Sequence, residues 1–178
     1  MRYFTREPPA QRGSPRCVPG DGGPRRRELG LWLLPERPAS VRRTRELMRG
    51  ALVALGFDAE TVGDGVVMVS ELVTNAIRHA RPPYELRLSC DEDTLTCEVV
   101  DASPVLPPIP GADGGPHLTL AGIDAANDAD LLAGGRGLEI VSRLSGGRCG
   151  ALPVMLRTSR PPICGKSVWF ALDLPGRR

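Results

Sequence analysis

Apolar positions recur along this 178-residue chain in two rhythms, one helical and one alternating, and their order already sketches an architecture. "ELGLWLLP" at 28–35 reads as a strand that Pro35 ends. Pro38-Ala39-Ser40 opens a helix with Ser40 as the expected N-cap, Val41, Leu47, Met48, Leu52 and Leu55 as its apolar face, and Gly56 as its close. Asp58 can cap a second helix running to about Ala80. Val62, Val66, Val69, Val73, Ala76, Ile77 and Ala80 lie on one side of it, and Pro82-Pro83 stops it. "YELRLSC" and "TLTCEVVD" alternate and form a hairpin about Glu92-Asp93, which sets Cys90 opposite Leu95 and Cys97 opposite Leu88. "GRGLEIVSRL" is a short helix, and "CGALPVMLR" and "KSVWFALDL" are two final strands separated by "TSRPPIC". This order predicts an α+β two-layer sandwich, a mixed, mostly antiparallel sheet covered on one face by about three helices.

Two stretches fall outside these rhythms. Residues 1–27 hold seven Arg against two acids, with Pro and Gly throughout, and cannot bury enough apolar surface to fold alone, so a disordered basic tail is expected there. Residues 102–134 are rich in Pro, Gly and Asp. A connection of that length inside a compact domain is usually functional, and it is assigned as a lid. The folded unit is then 28–175.

Composition narrows the class. An apolar share of 41% suits a globular domain, and with aromatics at 4% aliphatic residues must fill its interior. A net charge of +2 argues against direct nucleic-acid binding. No apolar run reaches the roughly 18 residues of a membrane span, so a cytoplasmic protein is expected. Five scattered cysteines without a CxxC pair give neither a disulfide framework nor a zinc site, and free thiols are expected. Of 23 basic residues 22 are Arg, and Lys166 is the only lysine, a bias that fits a GC-rich genome.

The second helix carries the candidate chemistry. In "SELVTNAIRHA", Glu71, Asn75, Arg78 and His79 fall within an arc of about 100° opposite the apolar side. Amphipathicity alone predicts some solvated face, so the stripe needs company. Asp101 supplies it: it ends a strand, shares parity with Leu95, Cys97 and Val99, and so points to the helix-covered side. There a carboxylate requires a donor, supplied by a turn or by the exocyclic amine of a ligand. Gly134, Gly135 and Gly137 stand before the short helix, where close backbone approach and unpaired N–H groups suit phosphate. "GKS" at 165–167 resembles the end of a Walker A loop, but Arg160 stands where that loop needs Gly, and a strand follows it.

Glu71-x-x-x-Asn75, Asp101-x-Ser103-Pro104, Gly135-Arg136-Gly137-Leu138 and Gly165-Lys166-Ser167-Val168-Trp169, in that order, resemble the successive boxes of the GHKL ATPase superfamily. The pattern is most similar to the RsbW-like anti-sigma-factor serine/threonine kinases of the actinobacterial type. The resemblance implies the Bergerat ATP-binding fold, with ATP and Mg²⁺ held between the second helix and the lid. It implies that Asn75 holds Mg²⁺, Asp101 accepts from the adenine amine, and Ser167 stands beside the base where the family has Thr. Gly135, Arg136, Gly137 and Leu138 would face the phosphates, His79 would support the helix end or a phosphate, and Glu71 would be the general base. Ser103 and Val105 replace both glycines of the usual D-x-G-x-G box, and "LTLAGIDAANDADLL" in the lid has no counterpart.

Two functions follow from the resemblance. One is a protein kinase that phosphorylates a STAS-domain anti-sigma antagonist and, in its other state, sequesters a sigma factor, with dimerisation as a family expectation. The other is a non-catalytic partner-sequestering module that binds ATP structurally or not at all. A histidine kinase is not expected, since no helical segment with an acceptor His precedes the domain. A topoisomerase or mismatch-repair ATPase would need a transducer domain.

Overall fold

The computed structural model describes residues 26–109 and 136–176. Five strands, β1 (Arg27–Leu34), β2 (Tyr84–Cys90), β3 (Thr94–Asp101), β4 (Cys149–Met155) and β5 (Cys164–Asp173), form one sheet in the order β1-β2-β3-β5-β4. Every pairing between them is antiparallel. Helices α1 (Ala39–Ala54), α2 (Ala59–His79) and α3 (Gly137–Leu144) cover one face. α2 packs between α1 and α3 and lies over β3 and β5. This is the expected α+β sandwich.

Strand alternation decides which residues meet the helices. Leu86 and Leu88 of β2, Leu95, Cys97 and Val99 of β3, and Val168, Phe170 and Leu172 of β5 face inward. They join Met48, Leu52, Met68, Val69, Leu72 and Val73 from the helices in one core. The hairpin has the predicted register, Cys90 opposite Leu95 and Cys97 opposite Leu88. Asp91 fixes its turn, with Oδ1 accepting from the N–H groups of Asp93 and Thr94. Among the described residues Cys90, Cys97, Cys149 and Cys164 are free thiols; Cys97 is buried, which pushes its thiol well above the ordinary range, while Cys164 is exposed.

α2 starts as the sequence predicts, with the Asp58 side chain accepting from the Thr61 N–H at 2.7 Å. α1 does not. Its cap is Pro38, already in helical geometry, and Ser40 sits inside the first turn with its hydroxyl donating back to the Pro35 carbonyl. A proline's fixed φ suits the helix start, so no side-chain cap is required. Ser40 and Thr44 are both buried on the inner face. Thr44 is satisfied there by donating to the Ser40 carbonyl at 2.7 Å. Gly56 closes the segment at φ 81°, as expected. β1 opens at Arg27, one residue inside the span assigned to the tail. Residues 1–25, and 110–134 of the assigned lid, lie outside the described residues.

The face away from the helices is also partly covered. Glu85 and Arg87 of β2 point there and are buried with the β4–β5 connection. Glu85 accepts from the Thr158 N–H and hydroxyl, both at 2.7 Å, and from Arg87 Nε at 2.9 Å. Arg87 also reaches the Met155 carbonyl at 2.8 Å. Burial alone would raise the Glu85 carboxyl, but the Thr158 bonds and the Arg87 charge outweigh it and hold the group below its ordinary value.

Candidate functional site

α2 is amphipathic because its apolar residues recur at helical spacing, so burying them turns Glu71, Asn75, Arg78 and His79 together to the other side. Asn75 and His79 line a cavity of about 430 Å³, with Asp101 and Lys166 on its sheet wall and Leu138 of α3 opposite. Pro107, Pro108 and Ile109, the described start of the assigned lid, complete it. Asn75 and Asp101 therefore open onto one space, from opposite layers of the sandwich. Arg78 is exposed and is not part of the cavity wall. A larger groove between β1 and α1, lined by Arg27, Arg42, Arg43 and Trp32 among others, holds none of the motif residues.

Glu71, one turn before Asn75, meets the start of α3. A Cβ at Gly137 would lie 2.8 Å from Glu71 Oε2 and 2.8 Å from Asn75 Nδ2. Gly137 has no positive φ, so its backbone does not demand glycine; the clearance for these two side chains does. α3 has no side-chain cap, and its first helical bond runs from the Ile140 N–H to the Arg136 carbonyl. The amides before Ile140 thus have no intrahelical acceptor, and they stand beside Glu71 and Asn75 where an anion would be received. Arg136 is half-buried at the same turn, and Gly135 lies outside the described residues.

Asp101 is buried, and one of its oxygens is fully engaged. Oδ1 accepts from the Ser103 N–H at 2.8 Å and from Lys166 Nζ at 2.7 Å. Among the described residues Oδ2 accepts no hydrogen bond. Burial pushes the carboxyl above its ordinary value, and the Lys166 ammonium and Ser103 amide pull against that rise. Ser103 acts through its backbone, which any residue could supply, and Val105 is 72% exposed. Neither replaced glycine narrows the cavity.

Ser167 is the site residue that the geometry moves. β3 and β5 pair Asp101 with Lys166 and Val100 with Ser167, so Ser167 lies on the opposite face of the sheet from the Asp101 carboxylate. Its hydroxyl donates to Glu98 Oε1 at 3.2 Å. Lys166 takes the place expected of Ser167. The sequence did carry a signal: Val168, Phe170 and Leu172 share parity with Lys166, and the chain spends its only lysine there.

Gly165 sets the spacing of the two strands at this point, since a Cβ there would fall 1.9 Å from the Asp101 carbonyl oxygen. That neighbour is backbone and cannot swing aside. Gly165→Ala is expected to destabilise the fold by about 1–3 kcal/mol, as overpacking does, measured as a lower midpoint in urea unfolding.

A two-layer sandwich with an amide-bearing helix over an acid-floored cavity, and a free helix start between them, defines an ATP-binding domain of the GHKL type. Residues 34–146 match the histidine kinase-like ATPase domain family, and the chain belongs to that family. No curated protein matches the chain. Among the described residues no helix is long and apolar enough to cross a membrane.

Proposed function

We propose that this protein is a cytoplasmic ATP-dependent serine/threonine protein kinase. It phosphorylates a small STAS-domain antagonist and, in its other state, sequesters a sigma factor, acting as a pair of identical subunits. The observation that carries the reading is the convergence of Glu71 and Asn75 on one point above Gly137, next to the cavity that Asp101 floors. A protein that only stored nucleotide has use for the amide and the acid; a carboxylate at the phosphate end adds a base.

The residues suit the parts that phosphoryl transfer needs, which are mainly position and charge. Asp101 Oδ2 accepts from the adenine amine, the apolar walls sandwich the ring, and the α3 amides receive phosphate. Asn75 fits Mg²⁺ as a neutral oxygen ligand: this ion takes few protein ligands and shares the rest with phosphates and water. When bound, the ion supplies charge neutralisation at the phosphates. Glu71 accepts the proton from the attacking serine hydroxyl as its oxygen bonds to the γ-phosphorus and the bond to ADP breaks.

The alternative, a partner-sequestering module without turnover, draws on Ser103 and Val105 standing in place of glycines. The exposed Val105 and the backbone role of Ser103 weaken it. Calorimetry comes first: the purified chain is expected to give saturable, Mg²⁺-dependent heat with ATP. Absence of that heat would remove the nucleotide reading altogether. Labelled ATP with a cognate antagonist then decides between kinase and module, since the module transfers no label.

A further inference from the structure

Lys166 lines the cavity and pairs with Asp101, but the nucleotide reading so far gives it no contact with the ligand. Its side chain is 9% exposed and that of Asp101 is 2% exposed. A buried ion pair is a poor way to gain stability, because the desolvation of two charges offsets most of their attraction. A structural role would be served as well by an apolar pair. The chain uses Arg at every other basic position, and a guanidinium is larger, planar and weakly hydrated, whereas an ammonium is a compact donor of three hydrogen bonds. One of those three goes to Asp101 Oδ1 at 2.7 Å, which among the described residues leaves two.

The surroundings say where the other two can go. Val99, Val168, Leu72 and Leu138 give the cavity apolar walls, and Asn75 and His79 lie on its helical side. At the sheet end the pair therefore offers an acceptor, Asp101 Oδ2, beside a donor, Lys166 Nζ. Adenine carries the complementary order on one edge, the exocyclic amine as donor and N1 as acceptor on the adjoining atom. Guanine carries the reverse order, with a carbonyl oxygen where the amine would be and an N–H at N1. It would set like against like at both positions.

Resting on the ATP reading above, we propose that Lys166 is a specificity-determining residue of this site: its ammonium donates directly to N1 of the adenine whose amine Asp101 accepts. The ion pair then orients the ammonium and keeps its charge in place before the base arrives. The base replaces no partner of Lys166; it takes up hydrogen-bonding capacity that the pair leaves unused.

The test compares nucleotides on the native chain, so it does not depend on a variant that folds. Affinities of Mg·ATP, Mg·1-deaza-ATP and Mg·7-deaza-ATP are measured by calorimetry. Loss of a hydrogen bond from a charged donor is expected to weaken 1-deaza-ATP by about ten- to a hundredfold, while 7-deaza-ATP, altered on a different edge, stays within about threefold of ATP. Equal affinities for ATP and 1-deaza-ATP would overturn the Lys166 inference and leave the ATP reading standing. No binding of any of the three would overturn both. Lys166→Met adds a second arm: if folded, it should bind ATP and 1-deaza-ATP alike, both more weakly than the native chain binds ATP, since Asp101 also loses its partner. Discrimination that survives in the folded variant would assign N1 to another group and overturn the proposal.

Discussion

Gly137→Ala is expected to lower the affinity for Mg·ATP by about ten- to a hundredfold while leaving the fold almost untouched, because pushing Asn75 aside loses a contact to a charged ligand, worth about 1.5–3 kcal/mol. The two halves of this expectation have separate causes. The added methyl would stand 2.8 Å from Glu71 Oε2 and from Asn75 Nδ2, closer than carbon packs against either atom, so both side chains must move. Both are the far ends of flexible side chains, and both can move cheaply. The backbone at residue 137 has no positive φ, and alanine favours the helix over glycine by about 0.5–1 kcal/mol. The unfolding midpoint should therefore hold or rise slightly as binding collapses. Calorimetry with Mg·ATP, read beside urea unfolding of the same sample, checks both. Native affinity in a well-folded variant would mean that Glu71 and Asn75 do not surround the nucleotide, and the proposed site would lose its phosphate end.

The parts of the fold that were legible in the sequence are those set by local rules. A two-residue turn fixes hairpin register, so the turn alone determines the partners of Cys90 and Cys97. An Asp before a long apolar-periodic run fixes a helix start, as at Asp58. The exchange of Ser167 for Lys166 has a different origin. Likeness to a family threonine points to Ser167, whereas strand parity, counted back from Leu172, Phe170 and Val168, places Lys166 on the inner face. Residue type alone points to Ser40 as a cap, yet Pro38, two residues earlier, already supplies helical geometry. The burial of Glu85 and Arg87 could not be read at all. Alternation puts them on the sheet face away from the helices, and only the path of the β4–β5 connection, from Met155 to Thr158, covers that face. The placement of the candidate site was legible only in part: Glu71 and Asn75 are held by one helical turn, while Asp101 joins them only through the packing of α2 across β3.

Glu71→Gln separates binding from chemistry. Glutamine matches glutamate in shape, so it fills the space beside Gly137 in the same way and should leave Mg·ATP affinity within about threefold of native, a change of under about 1 kcal/mol. What it removes is basicity. A serine hydroxyl attacking phosphorus must lose its proton during transfer, and a positioned carboxylate contributes about 10²–10⁴-fold to such a step. Transfer of label to the serine of a cognate antagonist should slow by that factor under saturating ATP, so the loss falls on turnover and not on apparent affinity. A variant that bound ATP weakly would point instead to a structural role for the Glu71 charge near the α3 amides. A variant that transferred label at the native rate would remove Glu71 from the chemistry. The remaining parts, an amide, a base-reading acid and a free helix start, would then describe a nucleotide-gated binding module, with the nucleotide acting on partner affinity alone.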